Sequence, residues 1–142
     1  MSLRKLFAIA GLMIFACAGS AHAADQSLFA KIGGEPKLRA TVDTFVEVML
    51  ADERINFAFA NTDLARFKQL IYDQLCDLAG GPCTYKGRNM FEAHKKLDVT
   101  NTQFNALAED LYIAFDRNDV PYRVQNRLMA LLAPMQKDIV KK

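Results

Sequence analysis

The residue with most chemistry to offer is His94, which closes the run Met90-Phe91-Glu92-Ala93-His94. Neutral imidazole is the commonest protein donor to a metal, and its protonation changes near neutral pH. A lone histidine on a helix is nevertheless more often a surface residue than a ligand. Its company shifts that balance: Phe59, Phe67, Tyr85, Met90, Val99 and Phe104 are aromatic or apolar and lie in the segments around it. A flat apolar macrocycle needs a slot lined by such side chains, with one neutral imidazole for its metal. The same residues could also form an ordinary core, and residue types alone leave both readings open.

Other sites compete poorly. Beyond residue 23 the only serine is Ser27, so no serine–histidine–acid triad can be assembled from a central nucleophile. Gly33-Gly34 and Gly80-Gly81 lack the lysine and the spacing of a phosphate-binding loop. Glu109 and Asp110 are adjacent on a helical stretch, where neighbours point apart, and both are expected to be solvated. Cys76 and Cys83 match neither a CxxC pair nor a zinc framework. Gly80, Gly81 and Pro82 between them allow a chain reversal, so a structural disulfide is expected.

The N-terminus bears on that expectation. Arg4 and Lys5 precede an uncharged, mostly apolar run from Leu6 to Ala18, and Gly19 to Ala23 ends in Ala21-His22-Ala23, a form that signal peptidases accept. The apolar run is too short to cross a bilayer, so no transmembrane segment is expected. Residues 1–23 read as a cleaved export signal and 24–142 as one domain, exported to an oxidising compartment and by expectation to the bacterial periplasm. Lipid attachment at Cys17 is the competing reading, weakened by the bulky Phe15 where such sites carry small residues. Loss of Arg4 and Lys5 takes the formal net charge from +2 to zero, which gives no sign of nucleic acid or an anionic membrane as partner. Loss of His22 leaves His94 as the sole histidine.

The elements that must position His94 all read as helices. Residues 26–32 form a short one stopped by Gly33-Gly34, and a second starts at Pro36 and runs to about Ala51 with Leu38, Val42, Phe45, Val46 and Met49 on one stripe. A short aromatic turn spans 54–60. Thr62 or Asp63 can cap a helix carrying Leu64, Phe67, Ile71, Leu75 and Leu78, which ends at Gly80-Gly81-Pro82. A brief helix from Asn89 to about Lys96 bears Met90 and His94. Thr100 and Gln103 have capping-box spacing, ahead of a buried face of Phe104, Leu107, Ala108, Leu111 and Phe115. After Pro121, Val124, Leu128, Leu131, Leu132 and Ile139 predict one amphipathic last helix. No stretch alternates as a strand, and the class is all-α.

With these pieces in order, the chain is similar to the group I truncated haemoglobins over nearly all of 24–142. The resemblance rests on Leu28-Phe29-Ala30-Lys31-Ile32-Gly33-Gly34, Phe45 with Leu50-Ala51-Asp52, Phe59, Gly80-Gly81-Pro82, Tyr85-x-Gly87, Met90-x-x-x-His94 and Phe104, in register without a gap. It implies a two-over-two helical sandwich holding haem b, with His94 as the proximal iron ligand and its second ring nitrogen donating to a backbone carbonyl or water. It also implies that Tyr85, Met90, Val99 and Phe104 line the proximal side and edge, that Phe59 wedges against the haem, and that Lys68 and Arg88 face the propionates. On the distal side the chain departs from the family: Val46 stands where tyrosine is usual, and Phe67, Leu70 and Ile71 fill the facing helix. Gln74 or Tyr72 is then the nearest polar candidate. The resemblance points to a protein that binds dioxygen, carbon monoxide or nitric oxide for binding, transport or sensing, with an electron donor if it is redox-active. Detoxification of nitric oxide or of reactive oxygen and nitrogen species is the enzymatic alternative, and a haem-free helical interaction domain is a third.

Overall fold

Ser27 accepts a hydrogen bond from the Ala30 N–H at 3.1 Å and so opens α1, Leu28–Ile32. The structure is a computed structural model that describes residues 27–141, so the expected export signal, with Cys17 and His22, lies outside the described residues. Gly33, at φ +115°, carries the chain out of α1, and a Cβ there would sit 2.9 Å from that of Lys37. Helix α2, Gly34–Ala51, starts two residues before Pro36; the proline therefore lies inside the first turn, where its missing N–H has no helical partner to lose.

The remaining starts follow the capping chemistry. A 3-10 turn covers Asn56–Phe59. Asp63 rather than Thr62 caps α3, Leu64–Leu78, by accepting the Arg66 N–H at 3.1 Å. Asn89 opens α4, Met90–His94, by accepting the Glu92 N–H at 2.8 Å. Thr100 and Gln103 form the expected capping box of α5, Asn101–Arg117. Helix α6, Tyr122–Leu132, follows Pro121. The last expectation needs correction. Instead of one helix through Ile139, a 3-10 turn at Ala133–Met135 containing Pro134 separates α6 from α7, Gln136–Ile139, and Leu131 falls off the buried stripe at 41% exposed.

Helices α2 and α3 form one layer and α5 and α6 the other, with the largest interface between α2 and α5. This is the two-over-two arrangement, and no strand occurs among the described residues. The main core joins Leu38, Val42 and Phe45 to Leu75, Phe115 and Leu128. A second cluster combines Val46, Met49, Ile55 and Ala106 with partly buried Phe59, Leu64, Phe67 and Leu107. The inward face of α5 differs from expectation: Ala106, Asp110, Leu111, Ala114 and Phe115 are buried, whereas Phe104, Leu107 and Ala108 are half-buried. Asp110 is thus not solvated. Because adjacent helical residues point apart, Glu109 takes the solvent side and Asp110 turns in toward α2.

Cys76, on the last turn of α3, is bridged to Cys83, with Cα atoms 5.7 Å apart. The bridge ties the end of α3 to the loop that leads to α4. Among the described residues no helix is long and apolar enough to cross a membrane. Urea unfolding should rank the two kinds of support. Phe115→Ala, at a fully buried site, is expected to cost about 3–5 kcal/mol, and reduction of the bridge about 2–3 kcal/mol; an unchanged midpoint for either would contradict this assignment of the core and the staple.

Candidate functional site

His94 ends α4, and its half-buried ring makes one hydrogen bond, from Nδ1 to the Met90 carbonyl one turn back at 2.8 Å. A carbonyl oxygen can only accept, so Nδ1 carries a proton, and in the neutral ring Nε2 is the lone-pair nitrogen. The helix that bears the histidine therefore sets its tautomer and, through the fixed ring, the direction of its donor atom.

So short a helix needs outside support. Asn89 caps it, and the C-terminal segment packs against it through α7. The Lys141 N–H donates to the Val99 carbonyl at 2.9 Å, Lys141 Nζ lies 2.9 Å from Asp98, and Gln136 Nε2 donates to Asn101 at 3.0 Å. On the other flank the Tyr85 hydroxyl donates to the Arg88 carbonyl at 2.8 Å, and its N–H donates to the Asp77 carboxylate at 2.9 Å. Gly87 lies against that phenol so closely that a Cβ would overlap it. Burial pushes the Tyr85 phenol above its ordinary pKa, keeping it a neutral donor.

The opposing wall comes from α3. Phe67, Leu70, Ile71 and Gln74 follow one another at helical spacing along one face, and all four are half-buried. Behind them the Phe59 and Phe67 rings meet with centroids 5.4 Å apart, against Val46 and Met49 of α2. Gln74 Nε2 reaches Met90 Sδ at 3.5 Å and Met135 Sδ at 3.8 Å, so this face of α3 looks toward α4 and the turn before α7. Gln74 is therefore engaged by thioethers. Tyr72 does not serve as a polar neighbour of the site. It is buried in the main core, under the Arg39 guanidinium at 4.0 Å, with its hydroxyl 3.8 Å from the Cys83 sulfur.

The remaining candidates divide. Val99, just before the Thr100 cap, and Phe104, in the first turn of α5, are both half-buried. Lys68 is not a free cation, because its Nζ pairs with Asp43 of α2 at 2.7 Å. Arg88 has no ion-pair partner among the described residues, while its carbonyl holds Tyr85. The role of the C-terminal segment was not anticipated: its bonds to Val99 and Asn101 join residues far apart in sequence, and no local pattern signals them. Met135 was missed for the same reason.

The donor set tests what this place can hold. Among the described residues no group of three or more His, Cys, Asp or Glu side chains could hold a metal ion. A metal at Nε2 of His94 would need its other ligands from a macrocycle, and the facing wall of Phe67, Leu70 and Ile71 offers apolar surface suited to a flat ring. The residues present fit haem.

Comparison with known proteins agrees with this geometry. The bacterial-like globin family matches residues 27–141. A group 1 truncated haemoglobin of Tetrahymena pyriformis is 37% identical over 117 residues, covering 82% of this chain and 97% of that one. One from Synechocystis is 36% identical over 100 residues, covering 68% and 81%. The crystal structure of the Tetrahymena pyriformis protein in its Fe(III) form superposes with a TM-score of 0.79 at 37% identity, over 82% of this chain and all of that one. The 2/2 haemoglobin of Synechococcus, solved in the cyanomet state with covalently attached haem, gives 0.76 at 30% identity, over 82% and 99% of the two chains.

If the Asn89 cap holds the His94 helix in place, Asn89→Ala should cost about 1 kcal/mol and speed transfer of haem to an acceptor protein several-fold. Haem loss at the native rate would show that α4 is held by other contacts.

Proposed function

The chain belongs to the group 1 truncated haemoglobins, and from that premise we propose that it holds one haem b through Nε2 of His94 and reversibly binds a diatomic gas after export to the bacterial periplasm. The observation that carries the reading is the 2.8 Å bond between His94 Nδ1 and the Met90 carbonyl, which makes Nε2 the lone-pair nitrogen of the neutral ring and fixes its direction. Haem supplies the iron at which dioxygen, carbon monoxide or nitric oxide binds. The protein's part is to orient and to exclude.

Met90 supports both walls. Its carbonyl orients His94, and its sulfur meets Gln74 across the site. Phe59, Phe67, Leu70, Ile71 and Val46 keep water from the far side, and none of them carries a hydrogen-bond donor in its side chain. Tyr85, Val99 and Phe104 close the near side and edge. Of the two cations expected at the propionates, Arg88 is the better placed to serve, since Lys68 would first have to leave Asp43. The Cys76–Cys83 bridge supports the assignment to an oxidising compartment, where such bonds persist. Cleavage after Ala23 and re-reduction of the iron by an electron donor belong to the same proposal.

The absorption spectrum of the purified protein supplied with haem tests the reading. A Soret band that shifts on reduction and again with carbon monoxide is expected, and His94→Ala should lose the native spectrum and most of its haem affinity. A colourless native protein, or a His94→Ala variant with unchanged spectrum and affinity, would overturn it. The apolar far wall makes a second expectation. Dioxygen leaves quickly, and Phe67→Gln, by offering a neutral donor worth ~0.5–1.5 kcal/mol, should slow its release up to about tenfold while carbon monoxide release changes little. Stopped-flow release rates decide it; native release as slow as that of the variant would refute the apolar pocket.

A further inference from the structure

At the C-terminal end of α2 the charged residues Glu47, Asp52, Arg54, Asp110 and Arg117 surround a cleft between α2 and α5. Asp110, only 2% exposed, is the anomaly there, because no donor reaches its Oδ2. Asp52 lines the same cleft, and its carboxyl is the neighbouring charge that bears most on Asp110. Two carboxyl groups can share a hydrogen bond only when one carries a proton.

Asp52 is not the one that carries it. The Arg54 N–H donates to it at 2.9 Å and the Arg54 guanidinium sits at 2.7 Å, which holds Asp52 below the usual carboxylate range. The proton belongs on Asp110. Burial pushes its carboxyl up to about 6, Asp52 and Glu109 add to the rise, and Arg54 opposes it. Arg54 also reaches Glu109 at 2.7 Å and so staples the turn after α2 to α5 beside Asp110. Glu47 on α2 and Arg117 on α5 complete the charged groups around the cleft, whose other walls are Val48 and Ala51.

The position of this contact matters more than its strength. Asp52 lies one helical turn past Met49, and Asp110 one turn past Ala106. Met49 and Ala106 belong to the cluster that also contains Val46, Phe59 and Phe67. We propose that Asp52 and Asp110 form a proton-operated latch between α2 and α5 that sets the packing of the far wall of the haem pocket, so that gas exchange varies with pH. The coupling to gas rests on the haem reading above; the latch does not.

With its proton, Asp110 donates to Asp52 and the latch is closed. Without it, the buried carboxylate of Asp110 lies beside a second carboxylate on the same cleft, and Arg54 is already shared between Asp52 and Glu109. The sign follows from the raised value of Asp110. Stabilisation by the proton is complete below about pH 4, and it is lost as pH rises through about 6.

Asp110→Asn keeps the shape and supplies an N–H to Asp52 at every pH. Carbon monoxide rebinding after photolysis, measured on the haem-loaded native and variant proteins from pH 5 to 8, reads the coupling; thermal unfolding of the same samples reads the latch. The native rebinding rate should change at least twofold with a midpoint near pH 6, and the variant should lack that step. The variant should melt with the native protein at pH 5 and several degrees above it at pH 8. Identical pH profiles for the two proteins in both measurements would overturn the proposal, and so would a melting difference accompanied by identical rebinding profiles. A chain that takes up no haem would overturn the haem assignment instead, and unfolding alone would then decide whether the latch exists.

Discussion

The hydrogen bond from His94 Nδ1 to the Met90 carbonyl is the constraint on which the site depends. It fixes which ring nitrogen of the neutral imidazole is free and where that nitrogen points. It spans a single helical turn, yet it exists only because α4 holds its shape, and a helix of five residues is not stable alone. Much of the surrounding architecture meets that need. The Asn89 cap anchors the start of α4, Gly87 and Tyr85 shape the loop before it, and the C-terminal residues strap its far side to the beginning of α5.

The opposite wall is built on different principles. Helix α3 is long, well capped and pinned at its end by the Cys76–Cys83 bridge. Its inward face carries Phe67, Leu70 and Ile71, and behind it the ring pair Phe59–Phe67 rests on α2. This half of the site is tied to the α2–α5 interface, the most extensive helix contact among the described residues. One wall is therefore short and strapped, the other long and rooted in the core. On the proposed reading, a gas ligand would meet aliphatic and aromatic surface rather than a hydrogen-bond donor, and its affinity would be governed by packing and by His94.

Much of this was legible from residue order. The glycine punctuation, the Thr100–Gln103 capping box and the apolar stripes of α2 and α3 are local signals, and the helices they predict are present within a residue or two. His94 with its apolar company marked the candidate site, and an ordinary core would have looked alike. What failed was long-range or a matter of degree. Pro134 broke a stripe that continued on paper through Ile139. The C-terminal strap and the Gln74–Met135 contact depend on tertiary placement. Adjacent acids on a helix could not reveal that Asp110 faces α2 rather than water, and an amphipathic reading assigns a carboxylate to the surface by default.

The central claim is one coordinate bond, between Nε2 of His94 and the iron of the haem. Resonance Raman spectroscopy of the ferrous, ligand-free protein measures it most directly, with histidine labelled with nitrogen-15. An iron–histidine stretching band that moves to lower frequency on labelling, vanishes in His94→Gly and returns when free imidazole is added is the predicted result. A band insensitive to the label, or one that persists in the glycine variant, would contradict the account.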